Sequence, residues 1–341
     1  MATIKDVAKS AGVSVTTVSI IINGKSEERK ISAATQERVQ DAMRELGYQP
    51  NLSARRLRSQ DSKKPVIAFF WPLDYRTSIL ASFMNSLQVE IQRIGFDCEL
   101  VIQTYENDKL DQYDASILKN GYSGIVIGAC SNSDLKYLEQ LSPQMPLILI
   151  NRYSEHFSTV CTDNREIGLM AARQFRQRGY TEAAVIASQH SYVATGLRTQ
   201  AFLYACSQLG INVLSEHIFK NLGTIGGGYH AAEAYCNTPN PPKVIFCDSD
   251  AMAIGALSAF HKHQKQIPED VEILSIAMLD PEHAEHTIPP LSVIKMPNEE
   301  IGKQLVDILQ EKITTNNLEP THINLEATLV LRESFLGIPK S

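Results

Sequence analysis

The sequence predicts an α/β protein in which a small helical unit precedes a large core with two parallel β-sheets. Residues 1–64 carry 12 Lys and Arg against 7 Asp and Glu, whereas residues 65–341 have a net charge of −11. Short apolar runs alternate with helical periods through the core, which is the pattern of β-α-β units. The first 23 residues instead show two short helical periods around a glycine.

The first predicted helix runs from about residue 3 to residue 10, and one of its faces is apolar. Gly12 then supplies the positive φ that a turn between two helices often requires. The residues of the apolar face are Ile4, Val7, Ala8 and Ala11.

The second predicted helix starts near Val15, because the Ser14 hydroxyl can cap it. Val18, Ile21 and Ile22 would bury this helix against the first. An ordinary helical hairpin fits the same pattern, but small polar residues on an outer face suit phosphates and base edges of DNA. The residues expected near that face are Val15, Thr16, Thr17, Ser19 and Ile20.

This segment closely resembles the amino terminus of the lactose-repressor family (LacI/GalR) of bacterial transcription regulators. The family pattern is roughly T-x-x-D-V-A-x-x-A-G-V-S-x-x-T-V-S-x-x-x-N, and residues 3–23 match every fixed position. Ile20 departs from the polar residue, often Arg, that is common at its position. A thymine methyl is therefore a better partner for it than guanine, and the operator is expected to be a variant site.

A third helix is expected after Ser32, running through Val39, Met43 and Leu46, and Pro50 ends the unit. The basic segment 52–58 that follows fits a solvated linker when it is taken alone. The resemblance implies a hinge helix there, which orders on DNA and pairs with its copy in a dimer. Leu57 matches the leucine that is inserted into the minor groove, and Ala54 matches the small residue where the paired helices touch.

The resemblance therefore implies a headpiece at residues 1–50 and a hinge with its linker at 51–64. Arg55, Arg56 and Arg58 would meet phosphates in this arrangement. The predicted DNA contacts are Thr3, Ile4, Ser14, Val15, Thr16, Thr17, Ser19, Ile20, Asn23, Lys30, Ser32, Asn51, Ala54, Arg55, Leu57 and Arg58.

The remaining residues, 65–341, are enough for a large core with two lobes. The sequence shows no signal-peptide pattern and no apolar run of the roughly 18 residues that a membrane span needs, so we expect a cytoplasmic protein that reaches the nucleoid through its operator. The six cysteines are scattered without a C-x-x-C pair, which favours reduced, buried thiols over disulfides or a metal site.

The predicted strands of the core lie at 66–70, 98–102, 124–127, 147–150, 183–186, 216–219, 244–247 and 271–276, and the predicted helices lie near 78–94, 108–119, 133–141, 166–178 and 197–209. Open sheets of this kind bind ligands at the carboxyl ends of their strands.

This core resembles the periplasmic-binding-protein-like regulatory core of the same family. Among the matching segments are Asp163-Asn164, Arg198-x-x-Ala201-Phe202 and Pro289-Pro290-Leu291. The resemblance implies three chain crossings between the lobes, near 151–163, 280–292 and 320–328. The amino-terminal lobe would comprise about 65–152 and 293–319, and the carboxy-terminal lobe about 153–292 and 320–341.

The resemblance also places an effector site in the cleft between the lobes. Arg198 matches an arginine that clamps sugar hydroxyls or a purine, although a surface arginine on a helix fits the sequence as well. Trp71 could stack on a sugar or belong to the core. Asp250 could cap its helix instead of contacting a ligand. The predicted effector contacts are Trp71, Arg76, Thr77, Asn151, Arg152, Arg198, Asp250 and Asp280.

One departure concerns the acid that faces this arginine in the family pattern G-(F/Y)-D-D. The corresponding residues are Ser275-Ile276-Ala277-Met278, and the next acid is Asp280. Whether Asp280 replaces the missing acid stays open. A basic, acid-poor cleft favours a sugar phosphate or another anion over a neutral sugar.

No phosphate-binding loop, G-x-S-x-G or H-E-x-x-H motif is present, so no enzyme and no cofactor is expected. We expect a homodimeric repressor of carbohydrate-related genes that binds a pseudo-palindromic operator and responds to a small effector. Two alternatives stay open. One is a regulator of the same family with a degenerate cleft that a protein partner controls, and the other is a sugar-binding module with a vestigial headpiece.

Overall fold

The computed structural model describes residues 4–22, 26, 29–46, 64–74, 76–113, 117, 121–189, 193–279 and 281–336, and it separates two compact units, residues 1–64 and 65–341. The predicted hinge helix at 52–58 lies outside the described residues. The same holds for Thr3, Asn23, Asn51, Ala54, Arg55, Leu57, Arg58 and Asp280.

The described part of the first unit contains three helices, as predicted, and serine hydroxyls cap two of them. Gly12 lies between the first two helices with φ +63°. Ser14 Oγ accepts from the Thr17 amide at 3.0 Å, and Ser32 Oγ accepts from the Thr35 amide at 3.3 Å, so both predicted caps are confirmed. The helices are α1 (Ile4–Ala11), α2 (Val15–Ile22) and α3 (Ala33–Glu45).

The small core of this unit differs from the predicted one at two positions. Val15 is half-buried, like Thr17, Ser19 and Ile20, and also packs against the core, and its contact with DNA stays a prediction. The tight turn, in which the Val13 amide donates to the Ala8 carbonyl at 3.0 Å, brings the start of α2 onto α1. Leu46 follows the end of α3 and is 39% exposed. The buried core residues are Val7, Ala8, Ala11, Val18, Val39 and Ala42.

The second unit is built on two six-stranded sheets. The first sheet comprises β1 (Val66–Pro72), β2 (Glu99–Tyr105), β3 (Gly124–Gly128), β4 (Leu147–Ile150), β5 (Ser158–Thr162) and β11 (His322–Leu325). Its spatial order is β11-β5-β4-β3-β1-β2, and all neighbouring strands are parallel. The inner strand β1, between β3 and the edge strand β2, is buried along its whole length, as expected for a parallel sheet covered on both faces.

The second sheet comprises β6 (Ala184–Ser188), β7 (Ile218–Asn221), β8 (Val244–Cys247), β9 (Glu272–Ala277), β10 (Ser292–Lys295) and β12 (Thr328–Val330). Its order is β12-β10-β9-β8-β6-β7, and only the pair β10-β12 is antiparallel. The predicted two-sheet α/β architecture is confirmed.

Eight helices in the described part of this unit surround the sheets. They are α4 (Thr77–Ile94), α5 (Asn132–Leu138), α6 (Asn164–Gln177), α7 (Val193–Gln208), α8 (Ile225–Cys236), α9 (Asp250–Lys262), α10 (Pro281–Glu285) and α11 (Asn298–Thr315). Within the predicted helix near 108–119, the described residues show a 3₁₀ turn at Leu110–Tyr113 and a helical residue at Ile117, and residues 114–116 and 118–120 lie outside the described ones.

Strand pairing corrects the predicted lobe boundaries. β5 pairs with β4, so it belongs to the amino-terminal lobe, and β10 pairs with β9, so it belongs to the carboxy-terminal lobe. The chain therefore changes lobes at 163, at 296–297 and at 326–327. A buried strand joins the sheet in which its backbone groups find partners, and sequence periodicity does not specify which sheet that is.

Helices α8 and α9 pack in close contact because glycines lie where they cross. A Cβ atom at Gly255 would lie 1.8 Å from the Ile225 carbonyl oxygen, and one at Gly228 would lie 2.0 Å from that of Met252. No side chain fits at either position without a shift of the backbone.

The Gly255→Ala substitution is expected to destabilise the second unit by about 3 kcal/mol, because the methyl group forces the two helices apart. The matched control is Gly226→Ala in α8, where the nearest atom, Thr224 Oγ1, is 4.0 Å from the added carbon. This control is expected to change the stability by less than about 1 kcal/mol. Calorimetric unfolding of both variants measures the difference, and equal melting temperatures would contradict the close packing.

Candidate functional site

A cavity lies between the two lobes, where the carboxyl ends of their strands meet. Nine of its lining residues come from the amino-terminal lobe and five from the carboxy-terminal lobe. The first group is Trp71, Arg76, Ile79, Phe83, Ala129, Ile150, Asn151, Arg152 and Asn298. The second group is Ala194, Thr195, Arg198, Met278 and Met296.

The cavity has a volume of about 80 Å³. Small-molecule sites typically measure roughly 300–1,000 Å³, so the described arrangement is a closed cleft. A molecule as large as a sugar needs more space than this cavity has.

Five of the predicted effector residues line this cavity: Trp71, Arg76, Asn151, Arg152 and Arg198. Thr77 does not line it. This residue is exposed at the start of α4, where its hydroxyl donates to the Asp74 carbonyl at 2.5 Å. Asp280 lies outside the described residues, so its relation to Arg198 stays a prediction.

Trp71 is both a core residue and a wall of the cavity, which unites the two interpretations that the sequence allows. It is 3% exposed and packs against Phe69 and Phe83, with ring centroids 6.0 and 5.6 Å away. The indole lies against Gly128, where a Cβ atom would be 2.3 Å from the ring. Its Nε1 donates to the Arg76 carbonyl at 3.2 Å, which fixes the ring plane.

Arg76 is held in place by an ion pair and by backbone acceptors. Its Nη2 lies 2.6 Å from Asp74 Oδ2, and its Nη1 donates to the Ala129 carbonyl at 2.7 Å. Nη2 also donates to Asn107 Oδ1 at 3.2 Å. These bonds tie the loops after β1, β2 and β3 together at the cavity wall.

Arg152 is 4% exposed, and its bonded partners are backbone carbonyls. Its Nε donates to the Cys130 carbonyl at 2.6 Å, and its Nη1 donates to the Asn151 carbonyl at 2.7 Å. Asn151 has φ +53°, and its Oδ1 accepts from the Thr162 amide at 2.9 Å. Burial lowers the pKa of the Arg152 guanidinium, and the charge of Arg76 lowers it further.

Arg198 is buried in the opposite wall, on α7. Its Nε donates to Asn164 Oδ1 at 2.7 Å, and its Nη1 lies 3.2 Å from Met278 Sδ. Burial lowers the pKa of this guanidinium to about 10, while the nearby charge of Asp248 acts in the opposite direction. The surface position that the sequence left open for this arginine is therefore excluded, since only 2% of it is exposed.

Asp250 supports the cavity wall from behind and does not line it. Its Oδ2 accepts from the amides of Met278 and Leu279 at 3.1 and 3.0 Å. The α9 cap is Ser249, whose Oγ accepts from the Met252 amide at 3.3 Å, so the expectation that Asp250 caps this helix was wrong. The carboxylate instead satisfies the amides of the turn that follows β9.

Met278 and Asn298 form a contact between the lobes that sequence analysis missed. Asn298 Nδ2, at the start of α11, donates to the Met278 carbonyl at 3.4 Å and to Ser82 Oγ at 3.3 Å. Met278 occupies a position where the family pattern has an acid, and its sulfur covers Arg198. Nothing in the local sequence of Asn298 indicates this role, because its partners are 20 and 216 residues away.

Asp248 is a second missed residue, buried directly after β8. Its Oδ2 accepts from the Ser188 amide at 2.7 Å. Burial raises the pKa of this carboxyl to about 6, and the charge of Arg198 partly opposes the shift. Asp248 is therefore a buried acid close enough to Arg198 for their charges to interact, whereas the sequence pattern drew attention only to Ala277 and Asp280.

The predicted DNA contacts that the structure describes are exposed or half-buried residues of the headpiece. Ser14, Thr16, Lys30 and Ser32 are exposed, and Thr17, Ser19 and Ile20 are half-buried. The Ser14 and Thr17 hydroxyls lie 2.9 Å apart. The side chain of Ile4 lies outside the described ones.

The described residues contain no helix that is long and apolar enough to cross a membrane. Among the same residues, no group of three His, Cys, Asp or Glu side chains is arranged to hold a metal ion.

Comparison with known proteins assigns both units of the chain. Residues 3–51 match the model of bacterial regulatory proteins of the lacI family, and residues 172–335 match the model of a periplasmic binding protein-like domain. A LacI family transcription regulator from Clostridium acetobutylicum has a solved structure with a TM-score of 0.76 and 33% identity, covering 79% of this chain and 100% of that one. The chain belongs to the LacI family.

Two further similar proteins extend over the whole length of this LacI-family chain. The transcriptional repressor PurR of Aliivibrio salmonicida is 27% identical over 338 residues, which cover 98% of this chain and 99% of the relative. A complex of the transcriptional regulator CelR with cellobiose has a TM-score of 0.68 at 25% identity, covering 98% of this chain and 100% of that one. The chain is a DNA-binding transcriptional repressor of this family and not an enzyme.

The raised pKa of the Asp248 carboxyl predicts how the stability of the protein depends on pH. A buried acid with a raised pKa binds its proton more tightly in the folded state, so the protein loses stability as pH rises from about 4 to about 6. In Asp248→Asn this loss is expected to be smaller by up to about 3 kcal/mol, because the shift is about two pH units. Melting temperatures at pH 4–7 measure it, with Asp163→Asn, an exposed acid, as control. Parallel curves for wild type and Asp248→Asn would contradict the buried location of this acid.

Proposed function

We propose that this repressor is a homodimer whose affinity for a pseudo-palindromic operator is switched by a small effector in the cleft between the lobes. The effector is a sugar, a sugar phosphate or a similar molecule, the regulated genes concern carbohydrates, and the protein acts in the cytoplasm. The observation that carries this proposal is the closed cavity, whose walls come from both lobes and touch through Met278 and Asn298.

The cavity couples ligand binding to the arrangement of the lobes. Because the closed cleft is too small for a sugar, binding of an effector changes the distance between its walls. Such a change can move the segments that lead to the headpieces in a dimer. The coupling free energy in systems of this kind is typically about 1–3 kcal/mol. Induction and corepression use the same parts, so the sign of the effect is a matter for experiment.

The headpiece supplies the DNA contacts in this proposal. The exposed hydroxyls of Thr16 and Ser32 and the ammonium of Lys30 suit phosphates and base edges. The hinge contacts at Ala54, Arg55, Leu57 and Arg58 rest on the family resemblance. In a twofold symmetric dimer the two copies of α2 would read the two half-sites of the operator.

Operator binding can be tested with DNA sites selected from a random palindromic library. We expect binding that weakens steeply with salt, because phosphate contacts release counterions. Thr16→Ala combined with Leu57→Ala is expected to weaken binding at least about a hundredfold, since each lost base-step or base contact is worth roughly 1–3 kcal/mol.

The control for this gel-shift experiment is Thr314→Ala in the second unit, which removes an exposed hydroxyl that donates to the Gln310 carbonyl within α11. It should bind the selected DNA like the wild type. If the wild type selects no palindromic site, the sugar-binding module with a vestigial headpiece becomes the better description.

Effector binding can be followed through Trp71, the only tryptophan of the chain. A thermal-shift screen of sugars, sugar phosphates and nucleobases is expected to find a ligand that raises the melting temperature and changes the Trp71 emission. Trp71→Phe removes the signal and identifies background fluorescence. A stabilising ligand without any effect on the emission would remove Trp71 from the site.

A second candidate function is control by a protein partner through a degenerate cleft. The small volume of the cavity and the position of Met278 Sδ, 3.2 Å from Arg198 Nη1, favour it. In that case no small ligand in the screen would stabilise the core or alter operator binding.

A further inference from the structure

The polar lining of the cavity is cationic. Three guanidinium groups, of Arg76, Arg152 and Arg198, belong to its walls. No Asp or Glu is among the described residues that line it. The inference that follows rests on the proposed effector switch and specifies the chemistry of the effector.

The three guanidinium groups differ in how their charge is compensated. Arg76 forms an ion pair with Asp74. Arg198 has the buried carboxylate of Asp248 in its surroundings, but its bonded acceptors are an amide oxygen and a thioether sulfur. Arg152 has two backbone carbonyls, and none of the described carboxylates lies within ion-pair distance of it.

The positive charges act on one another through a buried space. Burial is the main cause of the lowered pKa of Arg152 and of Arg198. Smaller effects in the same direction come from Arg76 on Arg152 and from Arg152 on Arg198, because like charges repel each other where little water screens them. A buried charge without a partner is costly, and an anion in the cavity would compensate two of them at once.

A neutral sugar fits this lining less well. Its hydroxyl groups need acceptors as well as donors, and carboxylates usually provide the acceptors. Among the described side chains that line the cavity, Asn151 Oδ1 already accepts from the Thr162 amide. The guanidinium forks of Arg152 and Arg198 are suited instead to the oxygens of a carboxylate or a phosphate.

We propose that the effector is an anion whose carboxylate or phosphate group is bound by Arg152 and Arg198. The remainder of the ligand packs against the apolar part of the lining, where Trp71, Phe83 and Met296 lie. Arg152 is the principal anchor, because the Cys130 and Asn151 carbonyls orient its guanidinium before any ligand arrives. Because the two arginines belong to different lobes, one anion would bridge the cleft.

Inorganic phosphate tests the anion site without knowledge of the natural effector. At constant pH and ionic strength, replacing chloride by phosphate is expected to raise the melting temperature of the core in a saturable manner. Arg152→Gln keeps hydrogen-bond donors but removes the charge, and it is expected to weaken phosphate binding at least tenfold. The control is Arg173→Gln, at an exposed arginine paired with Glu166 on α6, which should respond to phosphate like the wild type.

The proposal is overturned if phosphate and chloride give the same melting temperature for the wild type. It is also overturned if Arg152→Gln, folded as judged by circular dichroism, retains the full phosphate effect.

A matched set of probes then distinguishes the two kinds of anion. Glucose, glucuronate and glucose 6-phosphate share a pyranose ring, and Trp71 emission reports their competition with phosphate. We expect the neutral sugar to compete at least tenfold more weakly than one of the charged ones. Stronger competition by glucuronate identifies a carboxylate site, and stronger competition by glucose 6-phosphate identifies a phosphate site. Equal competition by glucose contradicts an anion site.

Gel shifts with the selected operator separate this inference from the proposed switch. Phosphate protection that requires Arg152, together with operator binding that no anion alters, would leave the anion site standing and refute the effector switch. If operator binding responds to a neutral sugar and to no anion, the effector switch stands and the anion site is refuted.

Discussion

The buried carboxylate of Asp250 is the constraint on which the cleft depends. It holds the turn after β9 through the amides of Met278 and Leu279, and this turn carries both the sulfur that covers Arg198 and the carbonyl that Asn298 reaches from the other lobe. Burial raises the pKa of this carboxyl to about 6, while hydrogen bonds from the backbone amides act in the opposite direction. The carboxyl is therefore mainly ionised at neutral pH. Asp250 does not line the cavity itself, but it fixes the wall against which a ligand would bind.

The cleft combines charged groups in its lining with apolar side chains that pack behind them. The guanidinium groups of Arg76 and Arg152 rest on backbone carbonyls at the ends of parallel strands, where a sheet offers acceptors in fixed positions. Trp71 and Phe83 fill the space behind them. Such a wall keeps charged groups in place without neutralising all of them, so a charged group of a ligand could still form ion pairs with the remaining guanidinium groups.

The sequence predicted what local patterns determine. The turn at Gly12 and the caps at Ser14 and Ser32 depend on neighbouring residues, and all three have the predicted geometry. The central strands of both sheets were found because parallel strands buried on both faces are apolar throughout. Arg152 and Arg198 line the cavity as expected, Arg152 from its place in a loop after a strand and Arg198 from the family resemblance.

The errors arose where partners are distant in the chain. The sheet to which β5 or β10 belongs depends on pairing with strands that are distant in the chain, and the pattern of apolar residues within a strand does not specify its partner. Asp248 and Asp250 stand two residues apart and look alike, yet Asp248 accepts from the Ser188 amide and Asp250 holds the turn at Met278. Asn298 contacts the opposite lobe through an amide that no motif marks.

The three connections between the lobes have a consequence for how such a protein diversifies. Each is one or two residues long, at 163, at 296–297 and at 326–327, and connections this short restrict sliding of one lobe past the other more than rotation of the lobes about the connections. In the proposed switch, any molecule that enters the cleft would therefore act through the same rotation, whatever its chemistry. Side chains such as Met278 could then be exchanged to recognise a new compound, while the rotation that acts on the rest of the molecule stays the same.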